Sequence, residues 1–285
     1  MKKLSSLLFC LLALNLAFAQ KNAKKTEFIV KNTAEFLDAI GSNRIIKLQY
    51  AHYDLSSLTT KSGANYSFSD NYDGLELLIE GVENLQIIGM GKRKPDLVTR
   101  PQYGNVIMFK NCKNITIDNI EAGHGPEKGY CTGGVLKFLD CNDIIINDCV
   151  LYGSGIEGIT ADNLTNLSCT NTTIRGCTYS VATINVGKNI VFKTCDFTDN
   201  EEFDMFNLTK CGTVAFEDCK ISNNAIKNDG YPHGAIFNLE ESKAVLRKCI
   251  IQNNTALFLA NKAENIVLDQ TPLNNNTFKK GEYKE

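Results

Sequence analysis

One pattern recurs along this chain and limits what it can become. Its fullest form is Asn-Ile-x-Ile-x-x-Cys-x-Ile. It reads Asn114-Ile115-Thr116-Ile117 leading to Ile120, Asp143-Ile144-Ile145-Ile146 to Cys149, and Asn166-Leu167-Ser168-Cys169 to Thr172. Asn189-Ile190-Val191-Phe192 leads to Cys195, Val214-Ala215-Phe216 to Cys219, Val245-Leu246 to Cys249, and Asn265-Ile266-Val267-Leu268 to Thr271. Asn84-Leu85-Gln86-Ile87, leading to Met90, is a weaker earlier copy. The register positions 90, 120, 149, 172, 195, 219, 249 and 271 lie 30, 29, 23, 23, 24, 30 and 22 residues apart. A period near 23 with strand-like alternation inside each unit marks a solenoid, because a lone unit cannot bury its apolar face and stacked units can. Leucine-rich repeats need a consensus that is missing here. Abundant Asn, Thr, Gly and β-branched residues exclude helical repeats.

Asn200, Asn224, Asn254 and Asn276 lie five residues past the Cys/Thr position. They are expected to form an asparagine ladder at a tight turn, since Asn tolerates left-handed geometry and bonds along the stack. Cys149, Cys195, Cys219 and Cys249 share one inward register, and Cys112, Cys141 and Cys211 share another. Stacked buried thiols explain them. Disulfides Cys195–Cys219, Cys219–Cys249 or Cys112–Cys141 are the alternative, which ladder spacing alone does not decide.

The repeats, preceded by an N-terminal helix and strand, resemble the right-handed parallel β-helix superfamily typified by pectate lyases, over roughly residues 26–276. The resemblance implies an all-β, single-domain fold with a short capping helix over the first open coil. Asn32-Thr33-Ala34-Glu35 forms a capping box, Phe36, Leu37 and Ile40 an apolar stripe, and Gly41 the stop. A strand follows at Arg44–Leu48, so the cap occupies about 26–50. The β-helix domain is assigned to 20–276, and 277–285 reads as a polar C-terminal tail, frayed from Lys279.

Residues 1–19 read as a signal peptide: a basic start, an apolar run from Leu4, and Ala17-Phe18-Ala19 as the cleavage site. No stretch reaches the ~18 apolar residues of a membrane-spanning helix. A periplasmic, cell-surface or secreted protein is expected. Thirty basic against thirty-two acidic residues, a net charge of -2, argue against a nucleic-acid partner. Eleven cysteines without a Cys-x-x-Cys pair do not suggest a zinc module.

Three intervals exceed the base period, at Gly91–Asn105, Gly123–Gly134 and Asn224–Ala235. Aligning their flanks puts each excess in the same part of its coil. The last two would rise from one edge of the solenoid, four coils or ~19 Å apart, and border a trough for an extended oligomer. They carry His124 and His233, with Tyr130, Asp229 and Tyr231 as substrate contacts. Glu157, Arg175, Tyr152, Tyr179 and Asp204 fall in the coils between. His124, Glu157, Arg175 and His233 are the catalytic candidates. Lys92, Arg93, Lys94 and Arg100 make the first insertion basic.

The resemblance implies a polysaccharide ligand. Gly123-His124-Gly125 is similar to a short motif of β-helical polygalacturonases, but the Asn-Thr-Asp, Asp-Asp and Arg-Ile-Lys motifs that go with it are absent. Without paired carboxylates there is no inverting hydrolase. A lyase asks only for a base and a neutralised uronate carboxylate, often with calcium. Arg175, Lys193 and Lys137 are outward basic positions for that chemistry, but no acidic cluster names a calcium site. Gly153-Ser154-Gly155-Ile156-Glu157-Gly158 lacks the βαβ context of a dinucleotide site and reads as a tight bend. Gly129 to Gly134 resembles a cysteine elbow without its strand-to-helix turn. The chain is therefore expected to bind or process a polysaccharide, as a lyase or another carbohydrate-active enzyme if it is catalytic. The alternative is a non-catalytic structural or surface-interaction solenoid of the cell envelope. Processing predicts converging titratable groups, whereas binding predicts exposed Tyr or Phe along the trough.

Overall fold

The computed structural model describes residues 25–125, 133–153, 157–227 and 234–283, so the signal-peptide assignment lies outside it. Each full coil bends once within one long sheet and twice more, into a second sheet and back, giving a parallel β-solenoid with three faces. The first face stacks Ile107–Lys110 with 136–139, 159–162, 182–185, 206–209 and 237–240. The second runs from Thr26–Val30 and Arg44–Leu48 through 142–147, 165–170, 190–193 and 214–217 to Ile266–Asp269. The third stacks nine short strands from His52–Asp54 through Glu121–His124, Val150–Tyr152 and Thr173–Arg175 to Leu273–Asn274. The registers pair Val150 with Thr173, Thr173 with Asp196, and Asp196 with Lys220, which is the stacking expected of the 149, 172, 195 and 219 positions.

The repeat's leading residue has a backbone reason. Asn43, Asn84, Asn114, Asp143, Asn166 and Asn189 all sit at φ between 54° and 60°, where the chain turns onto the second face. Their side chains bond coil to coil: Asn84 Nδ2 donates to Asn43 Oδ1 at 2.8 Å, Asn114 to Asn84 at 2.7 Å, and Asn189 to Asn166 at 2.8 Å. Both cysteine registers obey a second rule. Each is the first inward residue after a left-handed corner: Cys141 follows Asp140, Cys149 follows Asp148, and Cys219 follows Asp218. The inside of a sharp corner admits a small residue, and the thiol donates to nearby carbonyls, as Cys149 Sγ does to Asn147 O at 3.1 Å. Thr172 and Thr271 fill the same position with hydroxyls. All nine described cysteines are buried, and no two of them form a disulfide; Cys195 and Cys169 approach to 3.9 Å between sulfurs.

The expected ladder forms, with one correction. Asn200, Asn224 and Asn254 point inward, almost fully buried, and the left-handed residue is the one before each: Asp199, Asn223 and Asn253. The inward amide replaces backbone partners that the bend removes. Between the ladders lies an aromatic core in which Phe206 packs 5.0 Å from Phe237 and 5.1 Å from both Phe197 and Phe216.

At the N-terminal end the helix spans Thr33–Asp38, capped by Asn32 Oδ1 accepting from Glu35 N at 2.9 Å, and it buries Phe36 and Leu37. Gly41 is not its stop. The helix ends three residues earlier with Ala39 in right-handed geometry, and Arg44 Nη1 donates to the freed Asp38 and Ile40 carbonyls, both at 3.2 Å. The C-terminal segment is not frayed up to Tyr283 either. Thr277–Phe278 pairs with Thr255–Ala256, and Leu259 N donates to Glu282 O at 2.8 Å, with Phe278 and Tyr283 packed on the core.

Val186 breaks the corner rule. It occupies the left-handed slot filled by Asn111, Asp140 and Asn163 in other coils, at φ 58° and 52% exposed. A β-branched residue there costs about 1–2 kcal/mol. Val186→Asn should therefore raise the melting temperature by about 2–4 °C, the new amide lying one coil beyond the Asn163–Asp140 bond of 2.7 Å. An unchanged melt would show the slot to be unstrained.

Candidate functional site

The chain passes from the third face to the first through its most variable segments. Glu121 pairs with Val150 and Leu136 with Ile159, so this passage is six residues longer in the first of these coils than in the second. Lys220 pairs with Ile250 and Phe206 with Phe237, which puts the third excess in the same corner. The first excess is placed differently. Eight residues separate Ile88 from Asp96, where three separate their partners Asp118 and Glu121, so most of it lies at the second-to-third corner. Its basic residues are tied down there: Lys94 Nζ bonds Asp148 O at 2.6 Å and pairs with Asp148 Oδ1 at 2.8 Å, and Arg93 lies over Tyr50. Arg100 pairs with Asp54 at 2.9 Å.

Among the described candidates, Arg175 and Tyr152 come together and His124, Asp204 and Glu157 lie apart from them. Tyr130, Asp229, Tyr231 and His233 lie outside the described residues. His124 is buried rather than facing a trough. Ala122 points into the core, so His124, two residues on, does the same. Its Nε2 donates to Gly104 O at 2.7 Å, and Nδ1 has no hydrogen-bond partner among the described residues. Asp204 is buried too, its Oδ1 accepting from Ala235 N at 2.8 Å. Glu157 opens a first-face strand and accepts from Thr160 Oγ1 at 2.5 Å.

Arg175 and Tyr152 do meet, on the outer side of the third face. The guanidinium lies 5.3 Å from the Tyr152 ring centre, and the phenol donates to Asp96 Oδ1 at 2.7 Å while His52 Nδ1 lies 3.1 Å from Asp96 Oδ2. Gly123 permits this arrangement: a Cβ there would stand 2.3 Å from Tyr152 O and 2.8 Å from its ring. That contact accounts for the first glycine of Gly123-His124-Gly125. Burial, then the bond to Asp96, pushes the Tyr152 phenol well above its usual pKa, so it holds its proton at neutral pH and is a poor base.

Burial likewise holds the His124 imidazole below its usual 6.5, against the opposing pull of Gly104 O and the Asp73 charge. The unfolded chain binds this proton near pH 6.5 and the folded chain does not, so stability falls as pH drops below about 6.5. His124→Gln, which keeps an amide donor for Gly104 O, should remove part of the melting-temperature loss between pH 7 and pH 5. Each unit of depression corresponds to about 1.4 kcal/mol. A wild-type pH profile in the variant would contradict this.

What the variable corner does present is aromatic. Tyr179 is 43% exposed and its ring lies 4.4 Å from that of Phe203 in the next coil. Three coils toward the N terminus, exposed Tyr72 and Tyr103 pack edge to face at 4.9 Å. Asp73 anchors that pair by accepting from Tyr103 N at 3.1 Å, next to an open cleft of about 450 Å³ lined by Asp73, Arg100 and Gln102. Beside this edge the first face carries a row of which sequence reasoning named only Lys137: Lys137, Thr160, Thr183, Asn207 and Asn238, in register, all half-buried and outward. Asn238 Nδ2 donates to Asn207 Oδ1 at 3.0 Å and Thr160 Oγ1 donates to Glu157; among the described residues Thr183 Oγ1 is buried without a partner and Lys137 makes no ion pair. The signal was present as a polar residue at the coil period in the five first-face strands from 136–139 onward; Met108 holds the position in Ile107–Lys110. Lys137, Asn207 and Asn238 in such a row can hydrogen-bond hydroxyls of an extended chain, with the two threonines between them as a shallow floor. Among the described residues no three of His, Cys, Asp and Glu gather to hold a metal ion, so the calcium considered from the family resemblance has no ligand set there.

The profile described as right handed beta helix region matches residues 105–278. The chain belongs to the right-handed β-helix family. Solved β-helix structures share the fold at low identity. The alginate lyase of Paenibacillus sp. str. FPU-7 is 10% identical with a TM-score of 0.61, over 91% of this chain and 98% of that one. A pectate lyase of Paenibacillus sp. 0602 is 11% identical with a TM-score of 0.58, covering 81% and 71%. The A-module of the Azotobacter vinelandii mannuronan C-5 epimerase AlgE6 is 13% identical with a TM-score of 0.56, covering 90% and 68%. No curated protein sequence matches the chain. Among the described residues of this β-helix no helix is long and apolar enough to cross a membrane.

Proposed function

We propose that this β-helix binds an extended polysaccharide laid along the solenoid axis on the first face, beside the aromatic corner. The observation that carries this reading is the outward row from Lys137 to Asn238, one polar side chain per coil. Its ~4.8 Å spacing is close to the rise of one pyranose unit in an extended chain, so successive sugars meet successive positions of the row. Tyr179 with Phe203 supplies an apolar wall for sugar faces, and Lys137 favours a uronate near one end. The lyases and the epimerase that share the fold act on polymers of this shape.

Binding is favoured over processing by the described candidates: His124 is buried, Glu157 is engaged by Thr160, and the Tyr152 phenol holds its proton. Export after Ala19 would bring the protein to such polymers. The test is a panel of uronate and neutral glycans, read by calorimetry and by absorbance of unsaturated product. Binding to at least one glycan without product is expected. Asn207→Ala and Asn238→Ala should each weaken it about 2- to 10-fold, the worth of one hydrogen bond. Product formation would make the protein an enzyme, and silence across the panel would leave a structural solenoid.

A further inference from the structure

The second face carries an outward pattern that the glycan reading does not use. In its last four strands one row reads Val191, Ala215, Val245, Val267, and the row beside it reads Lys193, Glu217, Arg247, Asp269. Val267 is 48% exposed and the other three apolar residues are half-buried, so the row is a shallow apolar stripe. Within the chain the charges already pair as neighbours, Lys193 with Glu217 at 3.3 Å and Arg247 with Asp269 at 3.0 Å.

We propose that this face docks a second copy of the chain, solenoid axes antiparallel, about a two-fold axis along the strand direction between the strands of Glu217 and Arg247. That rotation reverses the order of coils and keeps each row opposite itself. Lys193 then faces Asp269 of the second copy and Glu217 faces its Arg247, so the row plus, minus, plus, minus is complementary to its own reverse. Val191 meets Val267, and Ala215 meets Val245. A third outward row, Asn189, Thr213, Lys243 and Asn265, brings no like charges together. The other face-to-face two-fold, along the solenoid axis, would lay the valines against the charges and desolvate them unpaired. An isologous contact of this kind closes at two copies.

Four coils of five-residue strands cover about 300 Å² per copy, against ~800 Å² in a standard interface. The dimer is therefore weak and forms only at high protein concentration. Salt weakens it by screening the charge row.

Sedimentation velocity on the full chain from about 10 µM to 1 mM tests the proposal. A concentration-dependent dimer that weakens with salt is expected. Glu217→Lys should weaken it at least tenfold by setting like charges across the axis. Adding Arg247→Glu should restore it, although that double variant places like charges side by side within each chain. Restoration therefore separates contact between copies from stability within one. A wild-type monomer at all concentrations would overturn the proposal. So would a Glu217→Lys variant that dimerises like wild type, or a double variant that stays monomeric while retaining the wild-type circular dichroism spectrum.

Discussion

Replacing Asn224 by alanine should cost about 4–6 kcal/mol and lower the melting temperature by at least ~10 °C. The side chain is 1% exposed and sits in the middle of the inward ladder. Its Oδ1 accepts from Asn200 N and Asn200 Nδ2, both at 3.0 Å, and its Nδ2 donates to Phe197 O at 3.0 Å and Asn254 Oδ1 at 2.8 Å. Alanine strands the Asn200 N–H, at about 1–3 kcal/mol where water cannot reach, and takes one partner each from Phe197 O, Asn200 Nδ2 and Asn254 Oδ1, at about 0.5–1.5 kcal/mol each. Asn200 Nδ2 keeps Ile174 O and Asn254 Oδ1 keeps Asn224 N. Since a domain has ~5–15 kcal/mol in all, one amide decides whether these coils stay stacked. Asn224→Asp keeps the acceptor but sets a buried carboxylate oxygen against the Phe197 and Asn254 oxygens, and should cost at least as much as alanine. Chemical denaturation measures both. A loss under about 1 kcal/mol for alanine would mean that water or a backbone shift re-satisfies the ladder.

Phe206→Ala should cost about 3–5 kcal/mol with no direct effect on glycan binding. The ring is fully buried and packed against Phe197, Phe216 and Phe237 at 5.0–5.1 Å, with Phe192 at 6.2 Å. Rigid neighbouring strands cannot collapse into the space, so the cavity term persists. Phe203, three residues earlier, is the control. It lies in the corner segment against Tyr179, so Phe203→Ala should change stability by less than about 1 kcal/mol and weaken glycan binding instead. Exchange of these two outcomes would show that the core and the binding edge had been confused.

The fold was legible because its rules are local and repeat. The leading Asn or Asp of each unit marks the left-handed corner, and the Cys/Thr position is the small residue inside the next corner, so the registers at 149, 172, 195 and 219 could be read before any pairing was known. Gly41 misled because Arg44, not a glycine turn, takes the helix-end carbonyls, a contact that depends on side-chain reach. The inward direction of the Asn200 ladder was hidden for a related reason, since the left-handed residue and the bonding residue are adjacent and both are polar. For the candidate site, coil membership was readable but direction was neglected. Period-two alternation from Ala122 already sends His124 inward. The first-face row beyond Lys137 was missed because stacking the units on their second-face motif gives no weight to Thr160, Thr183, Asn207 and Asn238, which keep the coil spacing without keeping a residue type.

The most direct test of axial glycan binding is affinity as a function of oligosaccharide length, using whichever glycan the panel identifies, measured by calorimetry from dimer to octamer. With one sugar per coil over the five positions from Lys137 to Asn238, affinity should climb with each added unit and level off near five, and Asn207→Ala should remove one step of the climb. Affinity that does not change with length, or that survives loss of both Asn207 and Asn238 side chains, would contradict a chain lying along the first face.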